Sequence, residues 1–258
     1  MRTAFPETRP DADVFWFRRR DFLRSAAAWT AAGTTMAHAQ RRGNIVALQG
    51  DVLCNGRRLS PGATIVTGDT LQTGPGSSLV FAIGGDAFRM RPESHLVVER
   101  GATLHTVSLL RLATGAVTSV WGRGPQRTIL TPTLTAGIRG TGVYTQVYGG
   151  ENPRTYFCNC YGTVDLVAGG DRVTSRADYH QPFWGLRDPV GGTAQQLLPA
   201  LPMNHSDEEL EVLARLVRQQ TAWQAAGRTG AKDGLGQLDP VPGMRHPALQ
   251  ARPQLAAR

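Results

Sequence analysis

Short apolar runs separated by turn residues dominate this chain, a pattern typical of β structure. Within residues 45–147 the apolar runs 45–48, 79–83 and 96–98 are bounded by turn signals such as Asn55-Gly56 and Pro61-Gly62. These runs recur roughly every ten residues, and no helical periodicity lies between them. The pattern predicts a mainly β domain over residues 45–148, with a solenoid-like or sandwich form.

The β pattern continues beyond this domain and is followed by one predicted helix. Residues 155–190 form a predicted β extension. Residues 206–225 are predicted to be an amphipathic helix, because Ser206 and Glu209 have the spacing of a capping box and leucines follow at helical intervals. Its apolar stripe favours docking on its own β domain over docking on a partner. Residues 227–258 are rich in Gly, Pro, Gln, Ala and Arg, so we expect disorder there.

The first 39 residues have the features of an export signal. A pair of arginines is followed by an apolar pair and another arginine, which resembles the twin-arginine motif of bacterial signal peptides; the motif residues are Arg19, Arg20, Phe22 and Leu23. A weakly apolar stretch follows, and residues 37–39 have the small-x-small pattern of a signal peptidase site, so we expect cleavage after Ala39.

The alternatives to a cleaved leader are an ordinary basic helix and an uncleaved anchor. The apolar stretch 25–39 is shorter than the roughly 20 residues that a membrane-spanning helix needs. No later stretch is apolar enough to span a bilayer, so we expect no transmembrane helix in the mature chain. The sequence therefore predicts a periplasmic protein exported by the twin-arginine route.

Glycine-containing motifs in the β domain resemble those of the FecR domain, a periplasmic module named after the ferric-citrate signalling regulator. The matching segments occur in the family order, at residues 48–52, 59–66, 67–74, 131–132 and 137–144. The resemblance implies an all-β signalling module, here expected without a cytosolic anti-sigma segment. Gly84-Gly85 replaces the usual Asp-Gly hairpin of the family. Arg139, between glycines, is either a turn-fixing residue or, as the sharper hypothesis, a ligand-binding one.

The charge of the chain gives little support to a nucleic-acid partner. Its formal net charge is +8, and Lys232 is its only lysine, so arginine carries nearly all of the positive charge. The basic residues are scattered and do not cluster with aromatic residues, so we expect no nucleic-acid binding. A protein partner in the periplasm or envelope is the expected interaction.

No sequence motif for catalysis is present. The chain contains no Gly-x-x-x-x-Gly-Lys-Ser/Thr loop, no Gly-x-Ser-x-Gly elbow and no His-Glu-x-x-His pair. We therefore expect a protein that is not an enzyme and acts as a binding, sensory or scaffold module.

One group of residues does have chemical character, namely Cys158, Cys160, His180 and His205. On a strand, Cys158 and Cys160 point to the same face, and the two histidines can fold over them. Two thiolates and two imidazoles suit Zn²⁺, whereas the soft sulfur ligands by themselves would suit Cu(I). The alternative hypothesis for function is therefore a periplasmic Zn- or Cu-binding protein. A disulfide between Cys54 and one of the pair, or plain buried thiols with surface histidines, are the other interpretations.

Overall fold

The structure is a computed structural model that describes residues 43–189 and 194–230. The predicted signal peptide, including Arg19, Arg20, Phe22, Leu23 and Ala39, lies outside the described residues. So does the predicted tail from residue 231 onwards. Among the described residues, no helix is both long enough and apolar enough to cross a membrane.

The prediction of a mainly β chain is confirmed, because fourteen strands join in one sheet. The strands are β1 Ile45–Gln49, β2 Val52–Cys54, β3 Arg57–Arg58, β4 Thr70–Thr73, β5 Ser78–Ile83, β6 Asp86–Met90, β7 His95–Arg100, β8 Val107–Val120, β9 Arg127–Leu130, β10 Thr135–Tyr148, β11 Arg154–Ala168, β12 Asp171–Ala177, β13 Gln181–Leu186 and β14 Leu197–Pro199. Within the described residues the helices are α1 Asp207–Leu216 and α2 Ala222–Ala225.

Three long strands, β8, β10 and β11, organise the sheet. The main path runs β14-β13-β11-β10-β9-β8-β7-β4-β2-β3, and β1, β5 and β6 join it through β8. Each long strand pairs with different neighbours along its length: β11, for example, pairs with β13 through its first half and with β12 through its second half. The pairing is antiparallel everywhere except between β8 and β9.

Two of the tight turns follow directly from their glycines. The β2–β3 hairpin turns at Asn55-Gly56, and both residues have positive φ, as a type I′ turn requires. The β5–β6 hairpin turns at Gly84-Gly85, where Ile83 pairs with Asp86 and Gly84 has a φ of 60°. Gly84-Gly85 therefore forms the two-residue turn of a hairpin despite its departure from the FecR pattern.

The helical region differs from the single helix predicted over residues 206–225. Ser206 caps α1 by accepting a hydrogen bond from the Glu209 backbone N–H, but the Glu209 side chain does not return to complete a capping box. The helix ends at Leu216, and Arg218 adopts a φ of 57°, which no helix accommodates. A complete capping box instead stands at Thr221 and Gln224, where it begins α2.

Two hydrophobic clusters occupy opposite sides of the central strands. Phe157 belongs to the first cluster, whereas its strand neighbours Tyr156 and Cys158 belong to the second. The second cluster joins the sheet to the residues after β14, as the docking prediction for the helix requires. Its helical members are Leu210, Leu213, Ala214, Leu216 and Trp223. The residues of the candidate site lie inside this second cluster.

Candidate metal centre

Strand β11 supplies two thiols to the second cluster. Cys158 pairs with Tyr144 on β10 and with Pro182 on β13. Cys160 lies at an irregularity of the β10–β11 ladder, where Asn159 and Tyr161 have partners on β10 and Cys160 has none. The side chain of Asn159, between the two cysteines, donates a hydrogen bond to Ser175 Oγ at 2.8 Å. Both thiols lie on the side of the sheet that faces the helices, as strand alternation requires, and the bulge at Cys160 brings Tyr161 to the same side.

The two histidines come from separate loops. His180 directly precedes β13, and its backbone N–H donates to the Cys160 carbonyl at 3.0 Å. His205 lies between β14 and α1, next to the cap residue Ser206. The first histidine is thus fixed to the sheet, whereas the second is carried by the chain that leads into the helix.

The structure brings all four predicted ligands together. The Cys158 Sγ lies 3.4 Å from His180 Nδ1, and the Cys160 Sγ lies 3.4 Å from His205 Nε2. The two imidazole nitrogens, His180 Nδ1 and His205 Nε2, are 3.1 Å apart. The four ligand atoms all lie within 4.8 Å of one another, and no side chain of the group is more than 1% exposed.

These separations match the edges of a tetrahedral site. Bond lengths to zinc of about 2.3 Å for sulfur and about 2.05 Å for nitrogen give a sulfur–nitrogen edge of about 3.5 Å and a nitrogen–nitrogen edge of about 3.3 Å. The observed 3.4 Å and 3.1 Å are slightly shorter. The other separations are within 4.8 Å, so the group is close to the size of a site for a single ion.

The outer nitrogen of each imidazole has an acceptor as its partner. His180 Nε2 lies 2.7 Å from Asp207 Oδ1, and His205 Nδ1 lies 2.7 Å from the Met203 carbonyl oxygen. A carbonyl only accepts, so His205 carries its proton on Nδ1, and the carboxylate fixes the His180 proton on Nε2 in the same way. In a neutral ring, the nitrogen that faces the cluster is therefore the one that can bind an ion.

Aromatic rings enclose the group. The Tyr144 ring stacks on His205, with centroids 4.7 Å apart, and Trp223 lies against His180 at 5.5 Å. The Tyr179 hydroxyl donates to the second oxygen of Asp207 at 3.0 Å. These rings shield the thiols and imidazoles from water, which strengthens every electrostatic interaction among them.

Electrostatics within the group favour separated charges. Burial would raise the pKa of the Cys158 thiol, but a hydrogen bond from Cys160 and the neighbouring His205 and His180 outweigh burial and lower that pKa well below its usual value. Burial and the neighbouring Cys158 raise the pKa of Cys160. Burial would lower the pKa of His180, but the Cys158 charge and Asp207 raise it to about 9. The site thus readily holds a thiolate beside a positive charge.

A buried ion-pair network lies beside the group on α1. Glu209 accepts from Arg89 at 3.0 Å, from Arg91 at 2.7 Å and from the Thr118 hydroxyl. Burial would raise the pKa of Glu209, but the two guanidinium groups lower it to about 2. The first turn of α1 is therefore attached to the sheet by charge as well as by apolar packing.

The remaining cysteine stands apart from the candidate site. Cys54 packs against the first hydrophobic cluster, while Cys158 and Cys160 belong to the second, and all three are free thiols. Burial and the nearby Asp69 raise the pKa of the Cys54 thiol to about 11. The structure therefore does not bring Cys54 to either of the other two cysteines.

Arg139 also lies away from the candidate site. Its guanidinium pairs with the Asp165 carboxylate at 3.0 Å on the surface of the sheet. Gly140, next to it, has a φ of 61° in an irregular stretch of the β10–β11 ladder. The arginine therefore fixes neighbouring strands to one another through a side-chain ion pair.

Two contributors to the site were missed by sequence reasoning. Asp207 is completely buried against His180, although its position in the first helical turn suggested only a favourable effect on the helix dipole. The Met203 carbonyl has no sequence signal at all. The one usable signal for Asp207 was its position two residues after His205, in a chain with few acidic residues.

Comparison with known proteins identifies no family. No protein-family model and no curated protein matches the chain. Two crystal structures of a candidate anti-sigma factor from Parabacteroides distasonis ATCC 8503 are similar in structure, each with a TM-score of 0.41. Their identities are 11% and 9%, the matches cover 53% and 58% of this chain, and they cover 60% and 75% of those chains. This chain thus spans less than two thirds of the first of them, and similarity at this level assigns neither a family nor a function.

Proposed function

We propose that this protein is a non-enzymatic metal-binding protein in which Cys158, Cys160, His180 and His205 bind one Zn²⁺ ion. One observation carries the proposal: two buried imidazole nitrogens lie 3.1 Å apart beside two buried thiols, and the four ligand atoms are all within 4.8 Å of one another. The outer nitrogens are held by a carboxylate and a carbonyl, so in the neutral rings the inner nitrogens are the ones that can bind an ion. A metal ion satisfies both nitrogens and both sulfurs at once.

Zinc fits this site better than monovalent copper. With Zn²⁺ and two thiolates the centre is neutral, and the nearby carboxylates of Asp207 and Glu209 are balanced by Arg89 and Arg91. Cu(I) in the same place would leave one uncompensated negative charge in a buried region, which is unfavourable. The tetrahedral sulfur–nitrogen set is also a common zinc arrangement.

A closed set of four protein ligands favours a structural role for the ion. Catalytic zinc keeps a coordination position for water or substrate, and four buried side chains leave none. This supports a non-enzymatic protein, in which the β domain acts as a binding, sensory or scaffold module with a protein partner in the envelope. The FecR resemblance of residues 45–148 belongs to this proposal.

Export is the second part of the proposal. The twin-arginine motif at residues 19–24 predicts transport to the periplasm. That route carries folded proteins, including many that receive a cofactor before export. A zinc site built from distant parts of a folded chain is compatible with loading in the cytoplasm.

The decisive experiment is metal analysis of the purified protein with matched cysteine variants. We expect one equivalent of zinc in the wild type and in Cys54→Ser, whose thiol lies in the other cluster, and a loss of at least tenfold in zinc content in Cys158→Ser/Cys160→Ser. Co²⁺ substitution of the wild type should give the visible bands of a tetrahedral thiolate site. Equal zinc content in the wild type and the double variant would contradict the proposal.

A further inference from the structure

The candidate ligands come from two parts of the chain: three are on the sheet, and the fourth lies in the segment that follows the last strand. Cys158, Cys160 and His180 are attached to the sheet, on β11 and directly before β13. His205 belongs to residues 200–230, which we call the strap and which contain α1 and α2. An ion bound to all four ligands would connect the strap to the sheet.

Two kinds of contact hold the strap in addition to the site. The apolar side of α1 and α2 packs into the second cluster, and Glu209 pairs with Arg89 on β6 and with Arg91 just after it. Beside the site, Asp207 on α1 accepts from His180 on the sheet side. The strap therefore has ion-pair and apolar contacts along the helix, whereas its entry, before α1, contains the ligand His205.

That entry is the part of the strap with the least regular structure. Residues 201–206 contain no helix or strand, and Asn204 has a φ of 64°. Left-handed backbone is unfavourable for a residue with a side chain, although asparagine tolerates it better than most. The hydrogen bonds of this segment include one from the Met203 N–H to the Tyr156 hydroxyl at 3.0 Å. Asn204 also donates to Gln146 and Tyr148, so without the ion this segment is attached to the sheet by individual side-chain contacts and not by a strand ladder.

We infer that zinc occupancy controls the docking of the strap on the sheet, an inference that rests on the proposed zinc site. Without the ion, His205 is held at the site by its contacts with His180, Cys160 and the Tyr144 ring and by its bond to the Met203 carbonyl. Loss of the ion affects His205 most, because it is the one ligand of the four that the sheet does not carry and the ion is what joins it to the other three. Opening begins at residues 201–206 and propagates into α1 through Ser206 and Asp207.

Opening of the strap would change the surface of the sheet. The aromatic side chains of Tyr144 and Tyr156 are buried beside the strap, and the partly exposed Arg89 and Arg91 pair with its Glu209, so opening would make all four more accessible to water. The zinc-bound state covers this face. Zinc would thus determine which of two surfaces the protein presents.

Amide hydrogen exchange of the zinc-loaded and zinc-free wild-type protein tests the inference. After zinc removal we expect amides of residues 203–216 to exchange at least tenfold faster, while amides of β5, β6 and β7 keep their protection. Zinc content is measured on the same samples. One equivalent of zinc with unchanged protection of the strap would overturn the inference and leave the proposed function intact, whereas absence of zinc binding would overturn both.

A single ligand variant makes the test independent of the cysteines. His205→Gln removes the strap's own ligand and leaves the three ligands of the sheet, and His105→Gln, in an exposed loop, is its matched control. We expect the strap of His205→Gln to exchange as fast with zinc as without it. Native protection of β5 and β6 shows that the variant has folded. Zinc-dependent protection of the strap equal to that of His105→Gln would overturn the inference.

Tryptic cleavage within α1 provides a second measure. Arg215 is exposed near the end of α1, and Arg218 follows the helix, so both become good substrates only when the local backbone unfolds. We expect cleavage at these sites to be at least tenfold faster in zinc-free wild type than in the zinc-loaded protein. Equal rates would overturn the inference.

Discussion

Asp207 shows how one side chain outside the ligand set can determine the state of a metal ligand. Its two carboxylate oxygens accept from His180 Nε2 and from the Tyr179 hydroxyl. This fixes the His180 ring so that Nδ1 is the nitrogen available to an ion. The carboxylate also increases the basicity of the ring, as outer hydrogen-bond partners of metal-bound histidines generally do.

Asp207→Asn is therefore expected to weaken zinc binding without abolishing it. An amide oxygen still accepts from His180, but the negative charge is lost, and we expect the affinity to fall by about 10- to 100-fold. Competition with a chromophoric chelator measures the affinity. Asp165→Asn, on the exposed face of the sheet, is the control and should bind as the wild type does. An affinity of Asp207→Asn equal to that of Asp165→Asn would contradict this role.

The four ligands could be predicted from sequence, but their partners could not. Strand alternation at Cys158 and Cys160 indicated a common face, and two histidines downstream completed a zinc-like set. The bulge at Cys160 and the Met203 carbonyl depend on three-dimensional register, which leaves no trace in residue type. Metal binding by these residues stays a prediction.

At the scale of elements, α1 is held by acidic residues on the side that faces the protein. Asp207, Glu209 and Glu211 are all buried, and each has a different partner. Glu211 accepts from the Trp223 indole N–H at 2.8 Å and so attaches α2 to α1. The acidic first turn therefore does more than complement the helix dipole, because it fixes the orientation of the helix on β6 and β8.

Glu209→Gln is expected to lower the free energy of unfolding of the zinc-loaded protein by about 3 kcal/mol, because it leaves two buried guanidinium groups without a countercharge. Urea unfolding at neutral pH measures this loss. Glu208→Gln removes the same charge from the same helical turn and controls for the dipole, so it should cost much less. Equal losses for the two variants would contradict the ion-pair argument.

The same pair of variants should respond differently to acid. Burial would raise the pKa of Glu209, but Arg89 and Arg91 lower it from 4.5 to about 2, so the carboxylate stabilises the fold above pH 4.5. This contribution is lost as the pH falls from 4.5 towards about 2, where the wild-type carboxylate becomes protonated. The stability difference between Glu209→Gln and Glu208→Gln should therefore shrink over that range.

The division of the helix was not predictable from the apolar pattern. Leucines at helical spacing extend to Leu216, and Trp223 continues the stripe, so the sequence favoured one helix. The break at Arg218 involves neither proline nor glycine. It arises because residues 217–221 turn the chain so that Trp223 packs on His180 and Tyr161, a tertiary contact that outweighs local propensity.

At the scale of the whole molecule, the candidate site is assembled from residues that are far apart in the sequence. Cys158 and His180 are 22 residues apart, and Cys160 and His205 are 45 residues apart. The complete ligand set therefore exists only after β11, β13 and the strap have assembled. The mainly β class could be predicted because turn residues punctuate the chain, whereas the joining of strap and sheet required the structure.

Because the complete metal site exists only in the folded protein, and the twin-arginine system transports folded proteins, we expect zinc to bind before export. Thiols stay reduced in the cytoplasm, so loading there also protects Cys158 and Cys160 from oxidation. We therefore expect Arg19→Lys/Arg20→Lys to abolish export in a bacterium with a twin-arginine system and to leave a zinc-containing precursor in the cytoplasm. Cell fractionation and metal analysis of the purified precursor measure the two outcomes.

The second arginine pair of the sequence supplies the control for this prediction. Arg41 and Arg42 follow the expected cleavage site after Ala39, so Arg41→Lys/Arg42→Lys should be exported normally. Undiminished export of Arg19→Lys/Arg20→Lys would contradict the twin-arginine signal. A retained precursor without zinc would instead contradict loading before export, because the ion would then have to enter the buried site from the periplasm, through opening of the strap.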